Sequence, residues 1–339
     1  VETRIESLAQ WWSCFRGWVV LFFAAVACAR REDPHTAPFQ PPAPVVSMHI
    51  VSARIASASP AVDADARLPA EEHTWSFPQT SVGRMSVVVA VPERAPGERF
   101  PVLIALHGRG ETMKGPERGA RGWIDDYALI RAAERLAHPP LVAADFESFV
   151  DAPRLAVLNH ALADKPYRGL IVVCPYLPDV LSSEDPFGQA PPLAAFFVDV
   201  LLPKVAAETP AIGTPAATGI DGVSLGGRAA LAVGLLRPEA FGSIASLQAA
   251  LEPANTNELV ERAQHALAKN PKLRLRLLTS SGDYYLATLG TIHGALGAAG
   301  VPHDYVVVQG PHDYAFNRGP GALEMLAYHD RVLRGAAPP

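Results

Sequence analysis

The chain is short of cysteine, with three in 339 residues. Cys14, Cys28 and Cys174 make neither a disulfide framework nor metal-ligand spacing. It has no excess of basic charge either. Lys and Arg total 29 against 34 Asp and Glu, a formal net charge of -5, so nothing electrostatic calls for a nucleic-acid partner. No apolar run reaches the roughly 18 residues of a spanning helix, and no internal repeat is present. His and acidic residues do not cluster at metal-ligand spacing. No G-x-G-x-x-G opens a first strand–helix unit, so a bound dinucleotide has no support. No cofactor is expected. What the chain does have, at 49% hydrophobic and 19% charged residues, is ample material for one large α/β domain or two small ones.

The first 70 residues divide by composition. Trp18 to Ala27 are ten consecutive apolar residues following Arg16 and Gly17, the length of a secretory h-region. Small residues then meet Cys28, as at a bacterial lipoprotein cleavage site, although Ala25 stands where leucine is usual. Residues 1–28 are therefore expected to be a leader, with Cys28 the candidate lipid-anchored residue and the protein exported to the periplasm or anchored at the outer membrane. Residues 29–70, rich in Pro, Ala and Ser, read as a tether. A catalytic domain is expected over 71–339.

Along that domain, apolar runs alternate with helical periodicity. Strands are expected at Arg84–Pro92, Pro101–Leu106, Gly169–Tyr176, Thr218–Val223, Phe241–Leu251, Leu273–Ser281 and Pro302–Val308. Helices are expected at Gly122–Leu136, at Ala194–Ala207 with Pro203 as a kink, from Leu225, and at Glu258–Ala268, Tyr285–Ala299 and Gly321–Leu333. Residues 138–168 read as irregular, capping or walling a pocket. Strand–helix alternation with strands apolar throughout predicts an α/β fold, a doubly wound, mostly parallel sheet flanked by helices.

Where the strand Thr218–Val223 meets its helix stands Gly222-Val223-Ser224-Leu225-Gly226. This is the G-x-S-x-G pattern of a nucleophile elbow, a tight strand-to-helix turn. Glycines two residues either side of the serine remove the Cβ atoms that would collide there. The motif arises by chance in roughly one chain of this length in ten, so it decides little alone. Its context decides more. Functional side chains of such sheets lie beyond the carboxyl ends of the strands, and other strand ends carry Asp283, His312 and the loop His107-Gly108-Arg109-Gly110. The order Ser, Asp, His is the one α/β-hydrolases use.

The roles follow from the chemistry. A serine hydroxyl needs a base within hydrogen-bond reach, and histidine can take that proton and return it to a leaving group. Asp283 would hold the imidazole of His312 in one tautomer. The backbone N–H of Leu225 and that of Arg109 are the expected oxyanion donors, each worth about 3 kcal/mol of barrier. Asp304 and Asp313 compete with Asp283, but a direct sequence neighbour of the histidine reaches its ring poorly. Asp221 is expected to point away from the site, and Ser280 and Ser281 to form a turn. His107 and Gly108, with Trp123 and Tyr284, are candidates for substrate contact. His107 reads equally as a residue that orients its loop, and Trp123, Tyr127, Phe146 and Tyr284 read equally as core.

The segments GVSLGG, LHGRGE, FFVDVLLPKV and SSGDYY…GPHDYAF resemble the esterase D / enterochelin-esterase-like group of the α/β-hydrolases, over about Arg84 to Leu333. The resemblance implies a triad of Ser224, Asp283 and His312, the same set read from the strand ends. It leaves the substrate open, since the group spans carboxylesterases, feruloyl, acetyl-xylan and siderophore esterases and acyltransferases. The long 138–168 stretch and Asp221 before the elbow glycine depart from simpler members. The expectation is a cofactor-independent serine esterase acting on a small-molecule ester through an acyl-enzyme. An acyltransferase, or an inactive surface binding protein on the same scaffold, are the alternatives.

Overall fold

The computed structural model describes residues 68–179 and 185–339. The expected leader, Cys28 and nearly all of the tether lie outside the described residues.

Eight strands form one sheet: β1 (Pro69–Thr80), β2 (Gly83–Pro92), β3 (Val102–Leu106), β4 (Ile171–Pro175), β5 (Thr218–Gly222), β6 (Ser243–Leu247), β7 (Arg274–Gly282) and β8 (Asp304–Pro311). Their order is β1-β2-β4-β3-β5-β6-β7-β8. The pairs β1–β2 and β2–β4 are antiparallel, and β4–β3, β3–β5, β5–β6, β6–β7 and β7–β8 are parallel. The continuous apolar run of β3 has the reason expected. Val102, Ile104 and Leu106 face one core, with the helix Leu225–Leu236, while Leu103 and Ala105 face the other, with the helix Ala322–Val332. A strand covered on both sides reads as a near-continuous apolar run. The mostly parallel sheet flanked by helices is thus the architecture the alternation predicts. Among the described residues, no helix is long and apolar enough to cross a membrane.

Four local features differ from the sequence reading. The edge strand β1 was not expected. Its exposed positions are Ala70, Glu71, Glu72, Thr74, Ser76, Pro78 and Gln79, and only Trp75 and Phe77 pack on the core, so the apolar signal is thin. The segment 138–168 is not irregular throughout, because Ala152–Asp164 is a helix. Asp151 caps it by accepting the Arg154 N–H at 2.7 Å, and Pro153 sits in its first turn, where a missing N–H costs nothing. The stretch 122–136 is broken into a π-turn, Gly122–Asp126, and a helix, Leu129–Ala137, with Ala128 left-handed (φ 54°) between them. Before Pro203 the helix passes through a π-turn at Phe196–Leu201, a re-registration that accommodates the proline's missing donor.

Candidate functional site

Ser224 leaves β5 with φ 57° and ψ −116°, a conformation that costs a non-glycine residue about 1–3 kcal/mol. Its surroundings over-determine it. The Ser224 N–H donates to Leu247 O at 2.9 Å, and the Ser224 carbonyl accepts from Ala250 N and Arg228 N, both at 3.0 Å. The glycines are needed for close approach. A Cβ on Gly222 would lie 2.5 Å from the Gly226 carbonyl carbon and oxygen, and one on Gly226 would lie 2.5 Å from His107 O.

Two loops from neighbouring strands meet this serine. His312, directly after β8, places Nε2 3.0 Å from Ser224 Oγ and Nδ1 2.7 Å from Asp283 Oδ1. The carboxylate can only accept, so Nδ1–H donates to it and Nε2 is left to accept the serine hydroxyl. Asp283 follows β7 and is buried. Its Oδ2 accepts the Thr279 hydroxyl at 2.5 Å, and its Oδ1 also accepts the Tyr285 N–H at 3.0 Å. Thr279 was not singled out in the sequence. The available signal was a hydroxyl residue directly after the paired leucines of LRLRLLT, four residues before Asp283.

The competing acids have other partners or positions. Asp313 Oδ1 accepts from Ala315 N at 2.8 Å and Phe316 N at 3.2 Å, capping the short turn that follows. Asp304 opens β8, eight residues before His312. Asp221 is buried on the sheet and bonds His329 Nε2 at 3.1 Å, and His329 Nδ1 accepts Ser243 Oγ at 2.9 Å. This second Ser–His–Asp set is wholly inside the protein and fastens the closing helix to β5 and β6. Ser280 and Ser281 lie within β7 rather than in a turn, and Ser280 is buried.

The loop after β3 carries the remaining candidates. His107 is 1% exposed. Its Nδ1 donates to Gly108 O at 2.8 Å and its Nε2 accepts Leu177 N–H at 2.9 Å. Burial lowers its pKa to about 4, so it is a neutral loop-orienting residue with no face for a substrate. The Gly108 N–H is used as well, donating to Tyr127 Oη at 3.2 Å. Among the described residues, no hydrogen bond outside regular helices and strands uses the N–H of Leu225 or of Arg109. The Arg109 side chain lies outward on Asp179, at 3.0 Å. Beneath the loop, fully buried Glu111 accepts the phenols of Tyr127 and, at 2.6 Å, Tyr314. Burial and then the Glu111 charge hold the Tyr127 phenol far above its usual pKa, so it stays a donor. This network, absent from the sequence reading, ties the Gly108 loop to a residue two positions after His312.

The aromatic candidates separate. Trp123, Tyr127 and Phe146 are buried in the core. Tyr284 is 81% exposed, with its ring 5.0 Å from that of His312, and Tyr285 touches the same imidazole at 5.7 Å. Tyr284 alone of the four stands where a substrate could meet it.

No protein-family profile matches the chain, and no curated protein sequence does. Solved structures do match. A ferulic acid esterase superposes with TM-score 0.58 at 18% identity, over 77% of this chain and 98% of that one. An S-formylglutathione hydrolase from Staphylococcus aureus gives 0.55 at 14%, over 77% and 98%. The enterobactin esterase of Shigella flexneri gives 0.51 at 16%, over 79% of this chain and 61% of its own. These neighbours belong to the group that the sequence motifs resemble, and the likeness establishes the α/β-hydrolase fold for this chain.

Proposed function

We propose that the chain is a serine esterase that hydrolyses a small carboxylic ester through an acyl-enzyme. The observation that carries this reading is the unbroken hydrogen-bonded line Ser224–His312–Asp283 on the loops after β5, β8 and β7. In the proposed cycle the Ser224 hydroxyl oxygen attacks the ester carbonyl carbon while its proton passes to His312 Nε2. Asp283 supports the imidazolium so formed. The oxyanion falls between the N–H groups of Leu225 and Arg109, which have no competing acceptor in the turn. Collapse breaks the carbon–oxygen bond to the alcohol, which leaves with the proton from Nε2. Water, deprotonated by the same nitrogen, then cleaves the acyl-serine and restores the hydroxyl. Tyr284 at the mouth is assigned to contact with the leaving alcohol.

The test is hydrolysis of p-nitrophenyl esters of increasing acyl length by the full chain, beside Ser224→Ala and a serine-directed fluorophosphonate. Turnover and labelling in the wild type, both lost in Ser224→Ala, are expected; equal turnover in the two proteins refutes the mechanism. Export remains part of the proposal, on the apolar run Trp18–Ala27 before Cys28. Radiolabelled palmitate incorporated by the wild type and not by Cys28→Ala would support anchoring, and equal incorporation would exclude it.

A further inference from the structure

The turn after β6 bonds directly to Ser224 and to the strands that lead to Asp283 and His312. On one side it holds the serine, because Leu247 O accepts Ser224 N–H and Ala250 N–H donates to Ser224 O. On the other side lies Gln248, wholly buried and left-handed at φ 48°. Its N–H donates to Leu278 O at 2.7 Å. Its side-chain amide donates to Pro311 O at 2.8 Å and to Ser280 Oγ at 2.6 Å. The amide orientation is unambiguous, since the Pro311 carbonyl can only accept. Ser280 Oγ lies 3.3 Å from the same carbonyl and closes the ring.

Pro311 immediately precedes His312, and Ser280 lies three residues before Asp283, whose N–H donates to Ser280 O at 3.1 Å. One side chain therefore fixes the take-off points of both the base loop and the acid loop, while its own backbone neighbours fix the serine. A left-handed backbone at a glutamine in the interior is a local cost. Such strain persists where surrounding structure holds it, and it is concentrated at functional sites.

We infer that Gln248 is a positioning residue of the triad, setting the His312–Asp283 pair against Ser224 by holding the Pro311 carbonyl and the Ser280 hydroxyl. It touches no reacting atom and acts through His312. The inference rests on the serine-esterase reading. Small misplacements of a catalytic group cost large factors in rate, so the expected effect falls on kcat and not on KM.

The test uses the full chain and p-nitrophenyl acetate, with active sites counted by fluorophosphonate labelling. Gln248→Met keeps the length and removes both donors. A kcat per labelled site lower by at least about tenfold, with KM within about twofold, is expected. The low-field proton resonance of the His312 Nδ1–H held by Asp283 should shift or broaden in the same variant. Wild-type kcat, KM and resonance in folded Gln248→Met would overturn the inference. If that variant does not fold, Ser280→Ala decides, since it removes one acceptor of the amide and leaves the other. A decrease of about threefold in kcat with a moved resonance supports positioning, and no change in either overturns it. Activity surviving in Ser224→Ala would bring down the serine reading and this inference together. Activity lost in Ser224→Ala and intact in Gln248→Met would bring down this inference alone.

Discussion

Asp283 meets His312 through Oδ1 at 2.7 Å while its other oxygen is held by the Thr279 hydroxyl at 2.5 Å. The carboxylate therefore cannot rotate freely about its own axis, and the imidazole it faces is locked in the tautomer that leaves Nε2 to accept from Ser224. Asp283→Asn keeps the shape and loses the charge. It is expected to lower kcat by about 10³–10⁴-fold with little change in KM, and Thr279→Val by about tenfold at most, since it removes only the brace. Steady-state kinetics on one p-nitrophenyl ester decides both. An Asp283→Asn protein with near wild-type kcat would remove Asp283 from the mechanism.

The elbow should tolerate no side chain at Gly226. A Cβ there meets the backbone of Leu106 and His107, and backbone cannot swing aside as a side-chain end could. Gly226→Ala is expected to destabilise by more than about 2 kcal/mol and to lose fluorophosphonate labelling. Gly294, where an added Cβ meets nothing within 4 Å, is the contrast. Gly294→Ala, inside the helix Leu286–Ala298, should gain up to about 1 kcal/mol from helix propensity. Urea unfolding of the two variants gives the comparison.

Much of this arrangement was legible because Ser224, Asp283 and His312 each stand just beyond a strand end. Three such placements in that order are far rarer than the G-x-S-x-G motif alone. β1 was not legible, since an edge strand with Trp75 and Phe77 as its large apolar contacts has almost no pattern to read. The helix Ala152–Asp164 escaped for a related reason: half of its aliphatic residues are alanine and Val157 is exposed, which blurs the face marked by Leu155, Leu158 and Leu162. Gln248 could not have been found at all. Its role depends on β6, β7 and β8 lying side by side and on a left-handed backbone, neither of which is written in the local sequence SLQAAL. Tertiary polar networks of this kind, including Glu111 with Tyr127 and Tyr314, join residues separated by 16 and 203 positions.

His107 should make the protein sensitive to mild acid. Its ring must donate at Nδ1 to Gly108 and accept at Nε2 from Leu177, and only the neutral imidazole does both. Burial lowers its pKa from 6.5 to about 4. The unfolded chain thus takes up a proton below about pH 6.5 that the native protein refuses until about pH 4. Stability is full above the upper value and falls across that window, by something on the order of 3 kcal/mol. His107→Asn removes the titration. The difference in unfolding free energy between wild type and variant, followed from pH 7 to pH 4 in urea, should therefore drift in favour of the variant. A difference independent of pH would mean that the ring charges in place without cost.

Glu324 is the opposite case, a buried charge that needs its partners. It is 1% exposed as a side chain, with Arg276 Nη2 at 2.5 Å and Arg154 Nη2 at 2.6 Å from one oxygen and Arg154 Nε at 2.7 Å from the other. Arg276 also lies over the Tyr328 ring, 4.7 Å from its centroid. Burial alone would raise the carboxyl pKa, but Arg276 and Arg154 outweigh it and hold the group below the usual glutamate value. Glu324→Gln leaves two guanidiniums facing a neutral amide inside the protein, and the loss expected at pH 7 is about 3–5 kcal/mol. The pH dependence follows from the sign of the shift. With a folded pKa below the unfolded one, the wild-type advantage is complete above about 4.5, the unfolded value, and disappears as pH falls through the folded value. Wild type and Glu324→Gln should therefore differ most in urea midpoint near neutrality and converge as pH falls below the unfolded value and through the folded one. A gap that persists unchanged in acid would assign the effect to packing of the closing helix rather than to the charge of Glu324.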